Sequence, residues 1–459
     1  MHEWDASTEL LAQSVLGYAI ERLKTPKDPH WGAKPASVLH EHLVGTVSAG
    51  GIGGDEALRI FRDVLLPATR PLDDPLALAY VPTAPSPAAT LFDLVVSVSS
   101  IFAGHWEAGA GAIAAENVAL RWLAELAGFP QGAGGCFVSG GSSANLSALV
   151  TARFQAGERR SRPPRWKLAA TAEAHASIRA AARVMDVDVV VVPTDHRGRM
   201  CGDDLAHVLA ENDAVFAVVA NGGATNSGAV DDLRTVGAAC IARDVWLHVD
   251  GAYGLAALCA PSARAEFDGI ELADSFSIDP HKWLFAPYDC SGLVYREPSV
   301  AARAHGQHGE YLDAIDRDEW NPADYAYHLS RRARGLPLWF SLATYGTDGY
   351  RDAVECTLDT ARAFAAELGA RSSFSLLLEP QLSVVLFACH GWSDTKYQSW
   401  STSRARDGVA LIVPTRWRGQ TCYRICVVNP KTSISSLRTV LDDMESFIEA
   451  PHDLTPPAR

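Results

Sequence analysis

The sequence lacks the features that mark nucleic-acid-binding proteins and disulfide-stapled secreted proteins. Its 459 residues contain 40 Lys and Arg against 54 Asp and Glu, so the clustered positive charge that a phosphate backbone requires is scarce. The nine cysteines are odd in number and form no Cys-x-x-Cys pair, which indicates neither a disulfide framework nor a structural zinc site. We therefore expect a small-molecule substrate and no nucleic-acid partner.

Targeting and membrane-spanning segments are also missing from the sequence. Residues 1–10 contain Glu3, Asp5 and Glu9 and no basic segment followed by an apolar one, so no secretory signal peptide is predicted. No apolar run approaches the roughly 20 residues that a membrane-spanning helix needs. We expect a cytoplasmic protein without a membrane partner.

What the sequence does have is an alternation of short apolar segments with helical periodicity. Hydrophobic residues make up 48% of the chain, enough for a large core. The predicted strands are 136–138, 167–171, 187–192, 214–220, 245–249 and 274–278. The predicted helices are 113–126, 144–153, 203–211 and 231–243. Apolar strands separated by helices indicate an α/β fold with a mainly parallel sheet covered on both faces.

Composition divides the chain into three predicted domains. Residues 1–66 form an N-terminal helical lobe, 67–345 the large domain with the parallel sheet, and 346–459 a small α+β domain that begins with a helix near 350–368. The small domain has predicted strands at 374–378, 383–389 and 421–428 and a last helix from Ser433. The Gly-rich run 48–54 follows no predicted strand, so a linker is favoured over a nucleotide-binding loop.

Ligands of open α/β sheets bind beyond the carboxyl ends of the strands, and the residues there are chemically informative. The run Ser139–Asn145 lies between a strand and a helix, where backbone N–H groups and hydroxyls can hold a phosphate, although a Gly-Ser run also serves as a plain helix cap. His175 follows the strand 167–171, where its ring could stack on a flat cofactor or simply cap the next helix.

Two further strand ends carry ionisable side chains. Asp250 ends an apolar strand, and its carboxylate could keep a pyridine nitrogen protonated. A metallohydrolase site using His248, Asp250 and His281 is the alternative, since His-x-Asp places both side chains on one strand face. Lys282 lies between apolar neighbours that should lower its pKa by desolvation and supply the free amine of a Schiff base; a structural lysine is the competing interpretation.

Together and in this order, these motifs resemble the group II pyridoxal-5′-phosphate (PLP) dependent amino-acid decarboxylases, the family of aromatic-L-amino-acid, histidine and glutamate decarboxylases. The resemblance rests on His-Val-Asp-Gly-Ala-Tyr at 248–253, Pro-His-Lys-Trp at 280–283 and Asp-Cys-Ser at 289–291. It extends from Tyr80 to Arg424. It implies PLP fold type I (aspartate-aminotransferase-like), PLP as cofactor, no metal, and a homodimer with its active site at the subunit interface.

The resemblance also implies roles for individual residues. Lys282 would carry PLP, Asp250 would bind its ring nitrogen, Ala252 would pack on the ring, His175 would stack on the other ring face as a catalytic residue, and Thr225 would lie near the ring substituents. The residues implied around the phosphate are Gly141, Ser142, Ser143, Asp279 and His281. The residues implied at the substrate are Tyr80, Thr83 and Phe102, the last as part of a segment, 102–106, that enters the neighbouring subunit's pocket.

Tyr311 bears on the outcome of the reaction. Its distance from Lys282 along the chain matches the family's catalytic tyrosine, which delivers a proton after carbon dioxide leaves. The expected reaction is decarboxylation of an L-amino acid with an aromatic or other bulky side chain to the amine. Relatives of the same fold perform oxidative deamination to an aldehyde or C–S cleavage of larger conjugates in natural-product biosynthesis, and both outcomes stay open. The chain departs from the aromatic decarboxylases before Tyr80 and at 105–111 and 224.

Overall fold

The structure of the protein is a computed structural model that describes residues 2–25, 28, 30–307 and 319–448. Two sheets and their covering helices form it. The strands of the larger sheet are β1 (Gly134–Val138), β2 (Lys167–Thr171), β3 (Asp188–Val192), β4 (Val215–Asn221), β5 (Trp246–Asp250), β6 (Ser275–Ile278) and β7 (Ser291–Tyr295). Those of the smaller sheet are β8 (Phe374–Leu378), β9 (Val384–Cys389), β10 (Val413–Trp417) and β11 (Gln420–Cys426).

Fourteen α-helices lie among the described residues. The first seven are α1 (Ala6–Lys24), α2 (Ala36–Leu43), α3 (Gly54–Ile60), α4 (Pro87–Val98), α5 (Trp106–Leu126), α6 (Gly141–Arg159) and α7 (Ala176–Met185). The others are α8 (Gly202–Ala210), α9 (Leu233–Ala242), α10 (Pro280–Trp283), α11 (Pro298–His305), α12 (Leu336–Gly369), α13 (Asp394–Arg406) and α14 (Ile434–Ser446). Among these described residues no helix combines the length and apolarity that crossing a membrane would need.

The larger sheet has seven strands in the order β1-β7-β6-β5-β4-β2-β3. β7 is antiparallel to both of its neighbours, whereas the pairs from β6 to β3 are parallel. The carboxyl ends of β1, β2, β4, β5 and β6 consequently meet at one edge. This edge carries the residues that the motifs single out, because each of them follows one of these strands.

Burial explains why most strands of the larger sheet could be predicted from the sequence. Every residue of β1, β4, β5, β6 and β7 is buried, as expected for strands covered on both faces. One apolar cluster packs under α5, α8 and α9, and a second lies under α6 and α7. The smaller antiparallel sheet, in the order β10-β11-β9-β8, has a separate core against α12, α13 and α14.

The predicted α/β fold class with a mainly parallel sheet is confirmed, whereas two strands and the start of one helix differ from the prediction. β7 and β10 were not predicted; β7 contains Gly292 inside a short segment, which weakens the apolar signal. The helix expected near Tyr350 begins at Leu336 and contains a break at Gly346, whose φ of +71° is not helical. Glycine adopts this conformation at little cost, so the break follows from the sequence once the helix is known to extend through it.

Candidate active site

A cavity of about 300 Å³ opens where the carboxyl ends of the parallel strands meet. Nine of the residues predicted for cofactor binding line it: Gly141, Ser142, His175, Thr225, Asp250, Ala252, Asp279, His281 and Lys282. Other lining residues are Ser139, Gly140, Asn145, Asn221, Gly223, Tyr253 and Tyr288. These residues are distant in sequence, and the sheet topology brings them together.

The Asp250 carboxylate is held in place at the end of β5. Its Oδ2 accepts a hydrogen bond from Nδ2 of Asn145 at 2.8 Å, and its Oδ1 accepts the N–H of Ala252 at 3.3 Å. Asp250 is only 8% exposed, and its carboxyl group lines the cavity beside these two donors. The geometry suits recognition of a protonated ring nitrogen.

Lys282 reaches the same cavity from α10. Its Nζ lies 2.9 Å from Oδ2 of Asp279, which is almost completely buried. Burial disfavours the charged amine, but the Asp279 carboxylate outweighs burial and raises the pKa of Lys282. The prediction that desolvation lowers this pKa is therefore wrong, because the sequence did not reveal that the residue three positions earlier forms an ion pair with the amine.

Asp279 lies at the centre of several contacts. Burial raises the pKa of its carboxyl, but the charges of Lys282 and His281 outweigh burial and lower the pKa overall. Its Oδ2 also accepts the backbone N–H of Gly141 at 3.3 Å, which connects the start of α6 to α10. The His281 ring accepts the N–H of Cys290 at 3.0 Å and is tilted against Tyr288 at 4.7 Å between centroids. Burial lowers the pKa of His281 despite the nearby carboxylate of Asp279.

His175 is both a helix cap and a cavity residue. Its Nδ1 accepts the backbone N–H of Ser177 at 3.2 Å and thereby caps α7. The ring lines the cavity from the end of β2, while Ala252 lines it from the end of β5. The two interpretations left open by the sequence, cap and cavity residue, are thus compatible in one side chain.

The residues present fit PLP. At the start of α6, a Cβ on Gly141 would come within 2.9 Å of the Ala252 methyl group, so glycine alone allows the backbone this close approach. Helix starts of this kind bind phosphate through their free N–H groups. Together, a fixed carboxylate at Asp250, an amine at Lys282 and an accessible helix start supply ring-nitrogen, aldehyde and phosphate partners around one cavity.

Four of the predicted residues that the structure describes do not line the cavity, and a fifth predicted residue is not described. Ser143 lies in the first turn of α6, where its N–H binds the carbonyl of Gly140 at 2.9 Å. The Thr83 hydroxyl donates to the carbonyl of Ala286 at 3.4 Å, and the carbonyl of Tyr80 accepts from Arg424. Phe102 stacks on His105 instead of reaching the cavity. Tyr311 lies outside the described residues, and the roles of all five stay predictions.

Sequence reasoning missed Asn145 and Tyr288 as cavity residues. Asn145 stands one helical turn after Gly141, a spacing that places both on one face of α6 and could have identified it. Tyr288 lies in the loop before β7 and is 51% exposed, and no periodic pattern indicated it.

The metallohydrolase alternative does not match the position of His248. Its Nδ1 is paired with the Ser275 hydroxyl at 2.8 Å and its Nε2 with Oδ1 of Asn145 at 3.0 Å. Both ring nitrogens therefore have protein partners. Among the described residues, no three His, Cys, Asp or Glu side chains gather as metal ligands would.

Comparison with known proteins agrees with this site. The conserved domain of pyridoxal-dependent decarboxylases matches residues 54–390. An aromatic-L-amino-acid decarboxylase of Bacillus atrophaeus is 29% identical over 460 residues, covering 95% of each chain. An L-2,4-diaminobutyrate decarboxylase of Rhizobium meliloti is 30% identical over 387 residues, covering 80% of this chain and 77% of the relative. The crystal structure of Oryza sativa TDC with PLP and tryptamine shares the fold, with a TM-score of 0.90 at 23% identity over 97% of this chain and 98% of that one.

Fold and site thus define a PLP-dependent enzyme of fold type I. Within that class, the chain belongs to the pyridoxal-dependent decarboxylase family and is a PLP-dependent amino-acid decarboxylase. The metallohydrolase interpretation is wrong on this evidence.

Proposed function

We propose that the enzyme converts an L-amino acid with an aromatic or other bulky side chain to its amine. The observation that carries the proposal is the meeting of Lys282, Asp250 and His175 around one cavity. The relative from Bacillus atrophaeus, which matches nearly the whole chain, is called an aromatic-L-amino-acid decarboxylase and supports the substrate class.

Bound PLP supplies an electron sink for the charge left on the substrate Cα when carbon dioxide departs. The chain's own residues act around it. Asp250, oriented by the hydrogen bond from Asn145, would hold a proton on the ring nitrogen. Lys282 would hold the cofactor through its amine, which points into the cavity. His175 and Ala252 both line the cavity, where His175 would cover one face of the cofactor ring and contact the substrate carboxylate.

Binding of the phosphate is assigned to the start of α6 and its neighbours. Ser142 offers a backbone N–H and a hydroxyl, Ser143 offers a hydroxyl, and His281 offers a ring N–H. Gly141, whose N–H donates to Asp279, leaves room for the phosphate to approach the backbone. Asp279 is ionised in this setting and can only accept hydrogen bonds, so it positions Gly141 and Lys282 without donating to the phosphate. Thr225 lines the cavity and would adjoin the ring substituents.

We also propose that the enzyme is a homodimer. No residue of α1 is buried, and α4 exposes Leu91, Leu94, Val95 and Val98. Such an apolar helix face is typical of a surface that a partner covers. The segment 102–106 follows α4 directly, so a second copy docked there would bring Phe102 toward the partner's cavity, with Tyr80 and Thr83 nearby as substrate contacts.

A cytoplasmic location belongs to the same proposal. All nine cysteines lie among the described residues and all are free thiols. Free thiols in this number are typical of a reducing compartment.

The proposed substrate class predicts the ratio of the products and a preference for aromatic L-amino acids over L-2,4-diaminobutyrate. With aromatic L-amino acids we expect carbon dioxide and amine in equal amounts and no oxygen uptake, and kcat/KM at least tenfold above that for L-2,4-diaminobutyrate. A bulky flat side chain gains about 25 cal/mol per Å² of apolar surface buried, whereas a second ammonium group must be desolvated. Product chromatography gives the ratio of carbon dioxide to amine and the kcat/KM of each substrate, and an oxygen electrode gives the oxygen uptake. Faster turnover of diaminobutyrate, or aldehyde as the main product, would reject the proposal.

We expect Tyr311 to determine which product forms, because the family resemblance implies that it delivers a proton to the substrate Cα. A phenol positioned at the substrate Cα delivers a proton faster than dissolved oxygen can reach the same carbon. We expect Tyr311→Phe to retain PLP and to release carbon dioxide, but to shift the product from amine toward aldehyde, ammonia and peroxide with uptake of oxygen. Tyr327→Phe, an exposed tyrosine, is the matched control. If the native enzyme already consumes one oxygen per turnover, Tyr311 does not perform this protonation.

A further inference from the structure

A continuous series of hydrogen bonds, buried as far as Ser177, runs from Trp246 in β5 to His175 at the cavity. Nε1 of Trp246 lies 2.9 Å from the Ser275 hydroxyl, which lies 2.8 Å from Nδ1 of His248. Nε2 of His248 lies 3.0 Å from Oδ1 of Asn145. Nδ2 of Asn145 lies 3.0 Å from the Ser177 hydroxyl, which lies 2.9 Å from Nδ1 of His175.

In the first half of this series, from Trp246 to Asn145, each hydrogen bond has a defined donor and acceptor. An indole N–H can only donate, so the Ser275 oxygen accepts from Trp246 and gives its own proton to Nδ1 of His248. Burial lowers the pKa of His248 to about 4, which keeps the ring neutral. Its remaining proton is therefore on Nε2 and is donated to Oδ1 of Asn145.

Asp250 fixes the same orientation of Asn145 independently. A carboxylate can only accept, and its Oδ2 lies 2.8 Å from the Asn145 amide nitrogen. If the Asn145 amide were reversed, its oxygen would face the Asp250 carboxylate oxygen. Its nitrogen would then face the protonated Nε2 of His248, so that two donors would meet. The Asn145 nitrogen therefore donates one proton to Asp250 and the other to Ser177.

The same reasoning gives the donor and acceptor in the hydrogen bond between Ser177 and His175. The Ser177 oxygen accepts from Asn145 and keeps its own proton available for Nδ1 of His175, 2.9 Å away. The backbone N–H of Ser177 points at the same nitrogen at 3.2 Å and cannot reverse its role. With Ser177 only 7% exposed, water does not readily replace these partners. Nδ1 of His175 faces two donors and has no room for a proton.

We propose that Ser177 and Asn145 are positioning residues that hold His175 in the tautomer protonated at Nε2. His175 then presents an N–H donor, not a basic nitrogen, to the cavity. This inference deepens the proposed function, on which it rests for the catalytic meaning of His175, and it connects His175 to Asp250 through one side-chain amide. A hydrogen-bond donor in this position can orient a substrate carboxylate without removing a proton from the substrate.

The tautomer is measurable without substrate. In holoenzyme labelled with ¹⁵N-histidine, the two ring nitrogens have different chemical shifts when one carries the proton, and the spectrum of His175→Asn identifies the signals of His175. We expect protonated Nε2 and bare Nδ1 at a pH where the ring is neutral. Ser177→Ala removes one of two donors, so the population protonated at Nδ1 should rise roughly fivefold, the factor that corresponds to one ordinary hydrogen bond.

Kinetics provide the second readout. Ser177→Ala should lower kcat by roughly three- to tenfold with PLP content and KM nearly unchanged, and Ser177→Thr, which keeps the hydroxyl, should restore both kcat and the tautomer. The control is Asn212→Ala, whose amide binds Lys167 and the carbonyl of Val208 away from the cavity.

Two results would overturn the inference. One is a native His175 that carries its proton on Nδ1 or on both nitrogens; the other is a tautomer unchanged in Ser177→Ala. Neither depends on the reaction product, so failure of the proposed function is seen separately, in the assay for amine.

Discussion

Replacing Asp250 by Asn is expected to lower kcat by on the order of 10³-fold or more, equivalent to about 4 kcal/mol of transition-state stabilisation. The reason is electrostatic. Under the proposed function, the Asp250 carboxylate, hydrogen-bonded to Asn145 and Ala252, would keep a proton on the cofactor ring nitrogen, and an amide at this position could not compensate a positive charge. Because the variant keeps the shape of the site, bound PLP should remain near one per chain.

The matched control for this variant is Asp274→Asn. Asp274 precedes β6 at the opposite edge of the sheet and accepts the N–H of Leu247 at 2.7 Å, a bond that an amide oxygen can also accept. We expect its turnover to stay within a few-fold of native. Single-turnover kinetics and cofactor absorbance on both variants make the comparison. Native-like kcat in Asp250→Asn would mean that the carboxylate does not serve the ring nitrogen.

Removal of the Lys282 amine is expected to have an effect of similar size. Among the described residues that line the cavity, Lys282 is the sole lysine, so no neighbouring amine can take its place. We expect Lys282→Ala to lose on the order of 10³-fold or more in kcat while it still binds PLP without a covalent bond, through the contacts of Asp250 and the start of α6. Lys167→Ala, at the amino end of β2, should leave kcat unchanged.

The large sheet was predictable because its central strands are buried on both faces. β4 and β5 appear in the sequence as continuous apolar segments, and the position of Asp250 at the end of β5 followed from that pattern. Position at a strand end in turn predicted the approximate place of Lys282 and His175, since parallel strands share one edge.

The details that depend on contacts between elements were not predictable. The raised pKa of Lys282 comes from Asp279, whose direction is set by the tight turn into α10. The role of Asn145 depends on the register of β5 beside α6, which puts Asp250 and His248 on either side of its amide. Phe102, Tyr80 and Thr83 do not line the cavity of their own chain, and no pattern in the sequence indicated this.

The central claim is that PLP is bound to the protein through Lys282, and borohydride reduction of the holoenzyme tests it most directly. Reduction converts the Schiff base to a stable secondary amine, so the cofactor stays on its lysine through proteolysis and mass spectrometry. We predict one modified peptide, containing Lys282, and none in Lys282→Ala. Cofactor mass on another lysine, or an active enzyme that acquires no label after complete reduction, would contradict the account.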